Sequence, residues 1–197
     1  MMSIWVVFWM LIFVFGIIGA FRGWVKELLV IFSVILALFL LYISEKYLGF
    51  VKPFSEILGN IGADVAFNTL ADDIKNTIQV QFWIRTIIIF LLALFGYQTP
   101  KLSFIKDKAG REQVQDILFG AILGAVSGFL IIGSLWYYMD QAHYLFAPYI
   151  SMPIIGDELG DKALNAVKYL PPAIFSSELV LLAIIGISFL FVLVVFI

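Results

Sequence analysis

Cysteine is absent from this sequence, and histidine occurs once, as His143. Without cysteine the chain has no disulfide, no thiolate ligand for an iron–sulfur cluster and no thiol chemistry, although this absence fixes no redox compartment. A metal site needs several converging ligands, and the sequence offers no second histidine and no cysteine. A lone histidine in a connecting segment near Asp140 is therefore predicted to be a surface residue.

Charge is also scarce, because only 13% of the residues are charged whereas 63% are hydrophobic. A soluble domain carries about 25% charged and about 45–50% apolar residues. The sequence has no basic tract suited to nucleic acid, and no nucleophile elbow, phosphate-binding loop, dinucleotide fingerprint or HExxH zinc motif. We therefore predict no nucleic-acid partner, no cofactor, no catalytic or metal-binding residue, and no enzymatic activity.

Long apolar runs dominate the chain instead, and their natural solvent is a lipid bilayer. A helix that crosses a bilayer needs about 20 mostly apolar residues. The sequence thus predicts an all-α integral membrane bundle, a single domain over residues 1–197, with about five transmembrane helices and short amphipathic helices on the outer side. The predicted spans cover residues 4–21, 27–44, 82–97, 117–139 and 174–197. No basic residue precedes the first run, so it is predicted to be retained and not to act as a signal peptide.

Basic residues set the predicted orientation, because cytoplasmic connections are enriched in lysine and arginine. The turn at 21–27 and the loop at 98–116 together hold six basic residues. The longer outer segments at 45–81 and 140–173 together hold five, beside nine acidic residues. With five spans, both basic connections fall on one side of the membrane. We therefore predict that the N-terminus lies outside, and that the loop and the C-terminus lie inside.

The outer segments contain helical patterns of their own. Apolar residues recur at three- and four-residue steps within 53–81, which predicts an amphipathic helix that caps the bundle. A second short amphipathic helix is predicted in GDELGDKALNAVKYL, residues 156–170. Proline is favoured in the first turn of a helix, so Pro171 and Pro172 are predicted to start the fifth span.

The fourth predicted span carries Gly120, Gly124 and Gly128 on one helical face. In lipid, helices associate through close backbone contact at such small residues. The simplest interpretation is tight packing within the bundle, and the sharper ones are a homodimer interface or a thin wall along a substrate path. A Gly124→Ile substitution should disrupt assembly under either packing interpretation.

Arg85 is the one basic residue inside a predicted span. The simplest interpretation is that its side chain extends to the nearby membrane surface. The alternative is an ion pair inside the bundle with Glu178, which is expected near the same outer interface.

The turn between the first two spans contains Arg22, Gly23, Lys26 and Glu27. Arg22 and Lys26 are predicted to hold this turn at the cytoplasmic side. The turn is so short that the two spans are expected to form an antiparallel hairpin, and glycine lets the chain bend or lets helices approach closely.

The first hairpin and the fourth span resemble the colicin V production (CvpA) family of small bacterial inner-membrane proteins. The matching residues are GAFRGWVKE, residues 19–27, between two apolar runs, and the glycine-rich FGAILGAVSGFLIIG, residues 119–133. The R-G-x-x-x-E pattern at Arg22, Gly23 and Glu27 is the most specific part. The resemblance covers residues 4–139, and the fifth predicted span departs from the four that the family usually has.

The resemblance implies a multi-pass protein of the bacterial cytoplasmic membrane. Its expected role is that of a non-enzymatic helper or scaffold in colicin or toxin production or export and in envelope maintenance, in contact with the lipid bilayer and with further copies or other membrane proteins. Glu27 would order the cytoplasmic turn or offer a docking point, and plain topological anchoring is the simpler role. The alternative function is a subunit of a small oligomeric channel or transporter with its pathway along the glycine face.

Overall fold

The computed structural model describes residues 3–62, 65–98, 110–146, 149–150 and 152–196, and every regular element within them is helical. The prediction of an all-α fold is confirmed. A π-helical turn, Ser44–Leu48, extends the second helix, and a 3-10 turn, Phe67–Thr69, precedes the fourth. The α-helices are α1 (Ile4–Arg22), α2 (Trp24–Ile43), α3 (Phe54–Leu58), α4 (Asp72–Tyr97), α5 (Gly110–Gln141), α6 (Glu158–Val167), α7 (Pro171–Ile174) and α8 (Glu178–Phe196).

Four helical segments are long and apolar enough to cross a membrane, namely Ile4–Arg22, Trp24–Leu48, Asp72–Tyr97 and Gln113–Gln141. At about 1.5 Å per residue, even the shortest of them extends roughly 28 Å, close to the thickness of a hydrocarbon core. The last helix, α8, is 19 residues long and strongly apolar. Its apolar stretch Glu178–Leu190 is shorter than a membrane-spanning helix, so a fifth span stays a prediction.

The third predicted span, 82–97, is the second half of a longer helix. α4 begins at Asp72, and both Asp72 and Asp73 lie in its first turn, where the helix dipole favours carboxylates. Residues 72–81, predicted to belong to a separate amphipathic helix, form the first turns of α4. The structure differs here because no glycine or proline interrupts the chain between Asp72 and the apolar run.

The first two helices separate from each other instead of packing as a hairpin along their length. Gly23 has a φ of 86° and breaks the helix between Arg22 and Trp24, a conformation that other residues rarely adopt. α1 then packs mainly on α5, whereas α2 packs on α4, α5 and α8. The two helices run antiparallel from a short turn, as expected, but they do not pack on each other along their length, because α1 packs mainly on α5 and α2 mainly on α4.

Glycine also brings α2 and α4 close together. A Cβ atom built at Gly96 would lie 2.8 Å from both the Cα of Val30 and the Oγ of Ser33. Val30 and Val34 are completely buried at this contact face of α2. Gly96 was not among the predicted packing residues, although it stands alone in an apolar run, as a packing glycine does.

The segment between α5 and α8 contains the predicted short amphipathic helix, α6. Asp157 caps it, because its side chain accepts a hydrogen bond from the backbone N–H of Gly160 at 3.2 Å. Pro171 begins the four-residue α7 instead of the long last helix, which starts at Glu178. Pro171 packs against Gly133 of α5, so this segment closes over the end of the bundle.

Candidate functional site

The glycine face of α5 lies against α1. Gly120, Gly124 and Gly128 are all buried. A Cβ atom at Gly124 would lie 2.8 Å from the Cα of Gly19, and one at Gly128 would lie 2.6 Å from the Cβ of Phe15. The face is therefore packed within the bundle, and α1 leaves no room on it for a second copy or a substrate path.

A buried ion pair lies at one end of this glycine contact. Arg22 Nη1 donates to Glu27 Oε1 at 2.5 Å, and Ser127 Oγ donates to Glu27 Oε2 at 2.8 Å. The guanidinium also lies over the ring of Tyr97, 4.2 Å from the ring centroid, and donates to its carbonyl oxygen at 3.3 Å. We call these four residues the Glu27 cluster. It joins α1, α2, α4 and α5 at one point.

The burial of Glu27 counts against one of its predicted roles, that of a docking point. The carboxylate is completely buried in the first turn of α2, where the helix N-terminus favours negative charge. Both of its oxygens have partners, as a buried carboxylate requires. Because Glu27 has no exposed surface, the geometry supports the role of ordering the turn and not that of a docking point. Lys26 beside it is partly exposed, and Gly23 is buried.

A second ion pair, between a buried guanidinium and a partly exposed carboxylate, lies near the opposite end of the bundle. Arg85 is 1% exposed, and its Nη2 donates to Glu45 Oε2 at 3.1 Å and to the carbonyl oxygen of Lys52 at 2.7 Å. Its Nη1 donates to the backbone and side-chain oxygens of Gln81, both at 3.1 Å. Gln81 in turn accepts from the backbone N–H of Lys52 at 3.0 Å. We call these four residues the Arg85 cluster.

Aromatic rings complete the surroundings of Arg85. Its guanidinium carbon lies 4.4 Å from the ring centroid of Phe54 and 5.5 Å from that of Tyr138. Cation–π contacts of this kind are strongest where water is excluded. The expectation that Arg85 extends to the membrane surface is wrong, because its donors are used inside the protein.

The predicted partner of Arg85 pairs with a different residue. Glu178 forms an ion pair with Lys46 and accepts a hydrogen bond from the hydroxyl of Tyr47 at 3.2 Å. Both acids, Glu45 and Glu178, lie at the same end of the bundle, but only Glu45 contacts Arg85. Glu45 and Lys46 are neighbours in the π-helical turn and have different partners, as adjacent residues of a helix usually do.

The two clusters mark the two ends of the apolar bundle. Glu27 and Glu45 lie on α2 and its extension, roughly 27 Å apart at about 1.5 Å per residue, whereas Arg85 and Tyr97 lie on α4, roughly 18 Å apart. Both distances fit within the roughly 30 Å of a bilayer core. The remaining buried polar side chains of the described residues are those of Thr86, Ser134 and His143.

His143 is buried, so its prediction as a surface residue is wrong. Its Nδ1 lies 2.5 Å from the carbonyl oxygen of Val65. His143 and Tyr144 both have a φ of 55°, in the left-handed region that few non-glycine residues adopt. The Tyr144 hydroxyl accepts from Trp136 Nε1 at 3.3 Å and donates to Asp140 at 3.1 Å, and burial raises the pKa of Tyr144. These contacts end α5 in a tight, fully paired turn.

Two serines in α5 provide a matched test of the Glu27 cluster. We expect Ser127→Ala to lower the free energy of unfolding by about 1.5–3 kcal/mol, because the buried carboxylate of Glu27 loses a donor. Ser134 is equally buried, and both hydroxyls lie near a carbonyl of their own helix, Ser127 at 2.9 Å from Gly124 and Ser134 at 2.6 Å from Leu130, but Ser134 has no carboxylate partner. Ser134→Ala should therefore change stability by less than about 0.5 kcal/mol. Denaturation in mixed micelles measures both, and equal losses would remove Ser127 from the cluster.

Comparison of the chain with protein-family models, curated proteins and solved structures finds no match. Among the residues that the structure describes, no three histidine, aspartate or glutamate side chains are grouped so that they could hold a metal ion. The interpretation of the two clusters therefore rests on their own geometry.

Proposed function

We propose that this chain is a CvpA-like, multi-pass protein of the bacterial cytoplasmic membrane. It acts as a non-enzymatic helper or scaffold in colicin or toxin production or export and in envelope maintenance. The observation that supports this proposal is the Glu27 cluster, in which the residues of the family-like pattern hold four helices together. A scaffold needs such a fixed shape more than it needs reactive groups.

Each specified residue of the R-G-x-x-x-E pattern has a distinct structural task. Arg22 and Glu27 form the ion pair, and Gly23 supplies the positive-φ conformation that separates α1 from α2. A Cβ atom at Gly23 would also lie 2.9 Å from a carboxylate oxygen of Asp116 in α5. The R-G-x-x-x-E pattern thus corresponds to one junction between two helices. This supports its use in recognising related proteins.

The distribution of buried polar groups favours a scaffold over a channel or transporter subunit. A transport path needs polar groups at successive depths of the membrane. In the described part of the bundle, the buried charges belong to the Glu27 and Arg85 clusters, and Ser134 between them bonds to its own helix. A path along the glycine face would have to displace α1.

The proposal includes an orientation in which the Glu27 cluster lies at the cytoplasmic surface. Arg22 contacts Tyr97, so the turn at 21–27 and the start of the basic loop at 98–116 share one end of the bundle. Residues 99–109 of that loop lie outside the described residues. Connections rich in lysine and arginine tend to stay in the cytoplasm, and this supports the proposed orientation.

The proposed role can be tested in cells that lack the chain. We expect these cells to export less colicin V activity and to become more sensitive to deoxycholate, and expect the wild-type chain to restore both properties. Purified chain in phosphatidylcholine liposomes should not raise the flux of ions or small solutes above that of empty liposomes. Normal export and normal envelope resistance without the chain would contradict the scaffold role, and flux through the liposomes would favour the channel alternative.

A further inference from the structure

A lateral groove of about 460 Å³ lies between α1 and α4, with α5 as its floor. Its volume is within the range of about 300–1,000 Å³ that is typical of ligand pockets. Val7 and Leu11 line it from α1, Phe90 lines it from α4, and Leu135 lies on its floor. The groove therefore offers an apolar surface of the kind that an acyl chain covers.

Thr86 is the exception in this apolar lining. Its side chain is 7% exposed, and its hydroxyl is the one buried side-chain polar atom without a hydrogen-bond partner among the described residues. Burying a hydroxyl without a partner is unfavourable. The hydroxyl has almost no accessible surface in the conformation shown, and a rotation of the side chain about χ1 would turn it towards an acceptor on a molecule in the groove.

The depth of Thr86 indicates which acceptor fits. Thr86 follows Arg85 in α4, so it lies at the level of the Arg85 cluster, near one membrane surface. The groove continues from there past Phe90 towards the middle of the bundle, and in the other direction it reaches Trp83 and Tyr149. Aromatic rings of this kind are enriched at the membrane interface, between headgroups and hydrocarbon. Along its length the lining of the groove thus changes from interfacial to apolar side chains. A phospholipid changes in the same order, from its headgroup to its acyl chain.

We propose that this groove binds one acyl chain of a diacyl phospholipid, whose ester carbonyl accepts a hydrogen bond from Thr86 Oγ1. A transmembrane helix of a second copy fits less well, because its backbone carbonyls are already paired within the helix. A lipid ester brings a free acceptor at this depth, with an apolar chain directly attached. The inference does not depend on the proposed function.

Ester- and ether-linked lipids provide the direct test, because only the ester has the carbonyl. The chain is purified in mild detergent, incubated with dioleoyl phosphatidylcholine or its dialkyl ether analogue, and analysed by native mass spectrometry. We expect one lipid to be retained, with the ester bound two- to tenfold more tightly, as one hydrogen bond would give. Thr86→Val, which keeps the shape of the side chain, should bring this ratio to about one.

A tryptophan placed in the groove tests the site of binding. Val7→Trp should fill the groove and remove the retained lipid, whereas Val6→Trp is the matched control, because Val6 is 49% exposed and does not line the groove. The proposal is overturned if wild-type protein retains ester and ether lipids equally, or if both tryptophan variants retain lipid alike. It is also overturned in favour of a second copy if Val7→Trp converts a dimer into a monomer with no change in lipid retention.

Discussion

Substitution of Gly19 by alanine is expected to lower the free energy of unfolding by about 3 kcal/mol, the upper part of the usual range for an overfilled contact. A Cβ atom there would lie 2.6 Å from the Cα of Gly124 and closer still to the carbonyl oxygen of Gly120. Both obstacles are backbone atoms, so no side chain can rotate away and α1 must move off α5. Unfolding in dodecylmaltoside–SDS mixtures, followed by far-ultraviolet circular dichroism, measures the loss.

Two other glycines provide controls for the same substitution. Gly16 lies on the same helix, but its nearest neighbouring atom would be 3.4 Å from a new Cβ, and Gly186 in α8 has no atom within 4 Å. Gly16→Ala and Gly186→Ala should change stability by less than about 0.5 kcal/mol or raise it slightly, because alanine favours helix. If Gly19→Ala unfolds at the same SDS fraction as Gly16→Ala, the close contact of α1 with α5 is incorrect.

Loss of the Arg85 side chain is expected to have the second large effect. Arg85→Met removes the donors to Glu45, Gln81 and Lys52, and should cost about 3 kcal/mol, the lower end of the range for a broken buried pair. The lower end applies because the Glu45 side chain is 41% exposed and can be hydrated once its partner is lost. Arg85→Lys should give an intermediate loss, since one ammonium group cannot reach all of the acceptors.

A surface pair on the same helix supplies the control for Arg85. Lys75 pairs with Asp72 at 3.3 Å, and the aspartate is almost fully exposed. Lys75→Met should therefore cost less than about 1 kcal/mol. A double-mutant cycle then assigns the partner: Arg85→Met should couple to Glu45→Gln, but not to Glu178→Gln. Coupling to Glu178 alone would restore the pairing expected from the sequence and contradict the Arg85 cluster.

The sequence predicted which charged groups share one end of the bundle better than it predicted which of them pair. Arg85 and Glu178 were expected at the same interface, and both lie at that end of the bundle. Arg85 pairs with Glu45 beside two features, the π-helical turn and the return of the chain at Lys52 towards Gln81. No sequence pattern predicts either of these two features. Glu45 follows an apolar run, so it was assigned to an outer connection.

The small residues were a partial guide to packing. Gly120, Gly124 and Gly128 predicted a close helix contact, and the structure shows one. Their partner, α1, was not predictable from the turn length, which suggested that α1 packs along α2. Complementary glycines on two helices decided the outcome, because Gly19 meets Gly120 and Gly124 where α2 offers no matching face. The burial of Glu27 was missed for a similar reason, since its partner Ser127 is distant in the sequence.

Site-directed labelling tests the central claim that the Glu27 and Arg85 clusters lie at opposite membrane surfaces. The chain contains no cysteine, so Lys26→Cys, Gln98→Cys and Asn76→Cys each introduce a single thiol. A membrane-impermeant maleimide should label Asn76→Cys in spheroplasts, and should label the other two variants only after the membrane is permeabilised. Labelling of Lys26→Cys and Gln98→Cys from opposite sides, or of all three in intact spheroplasts, would contradict the account.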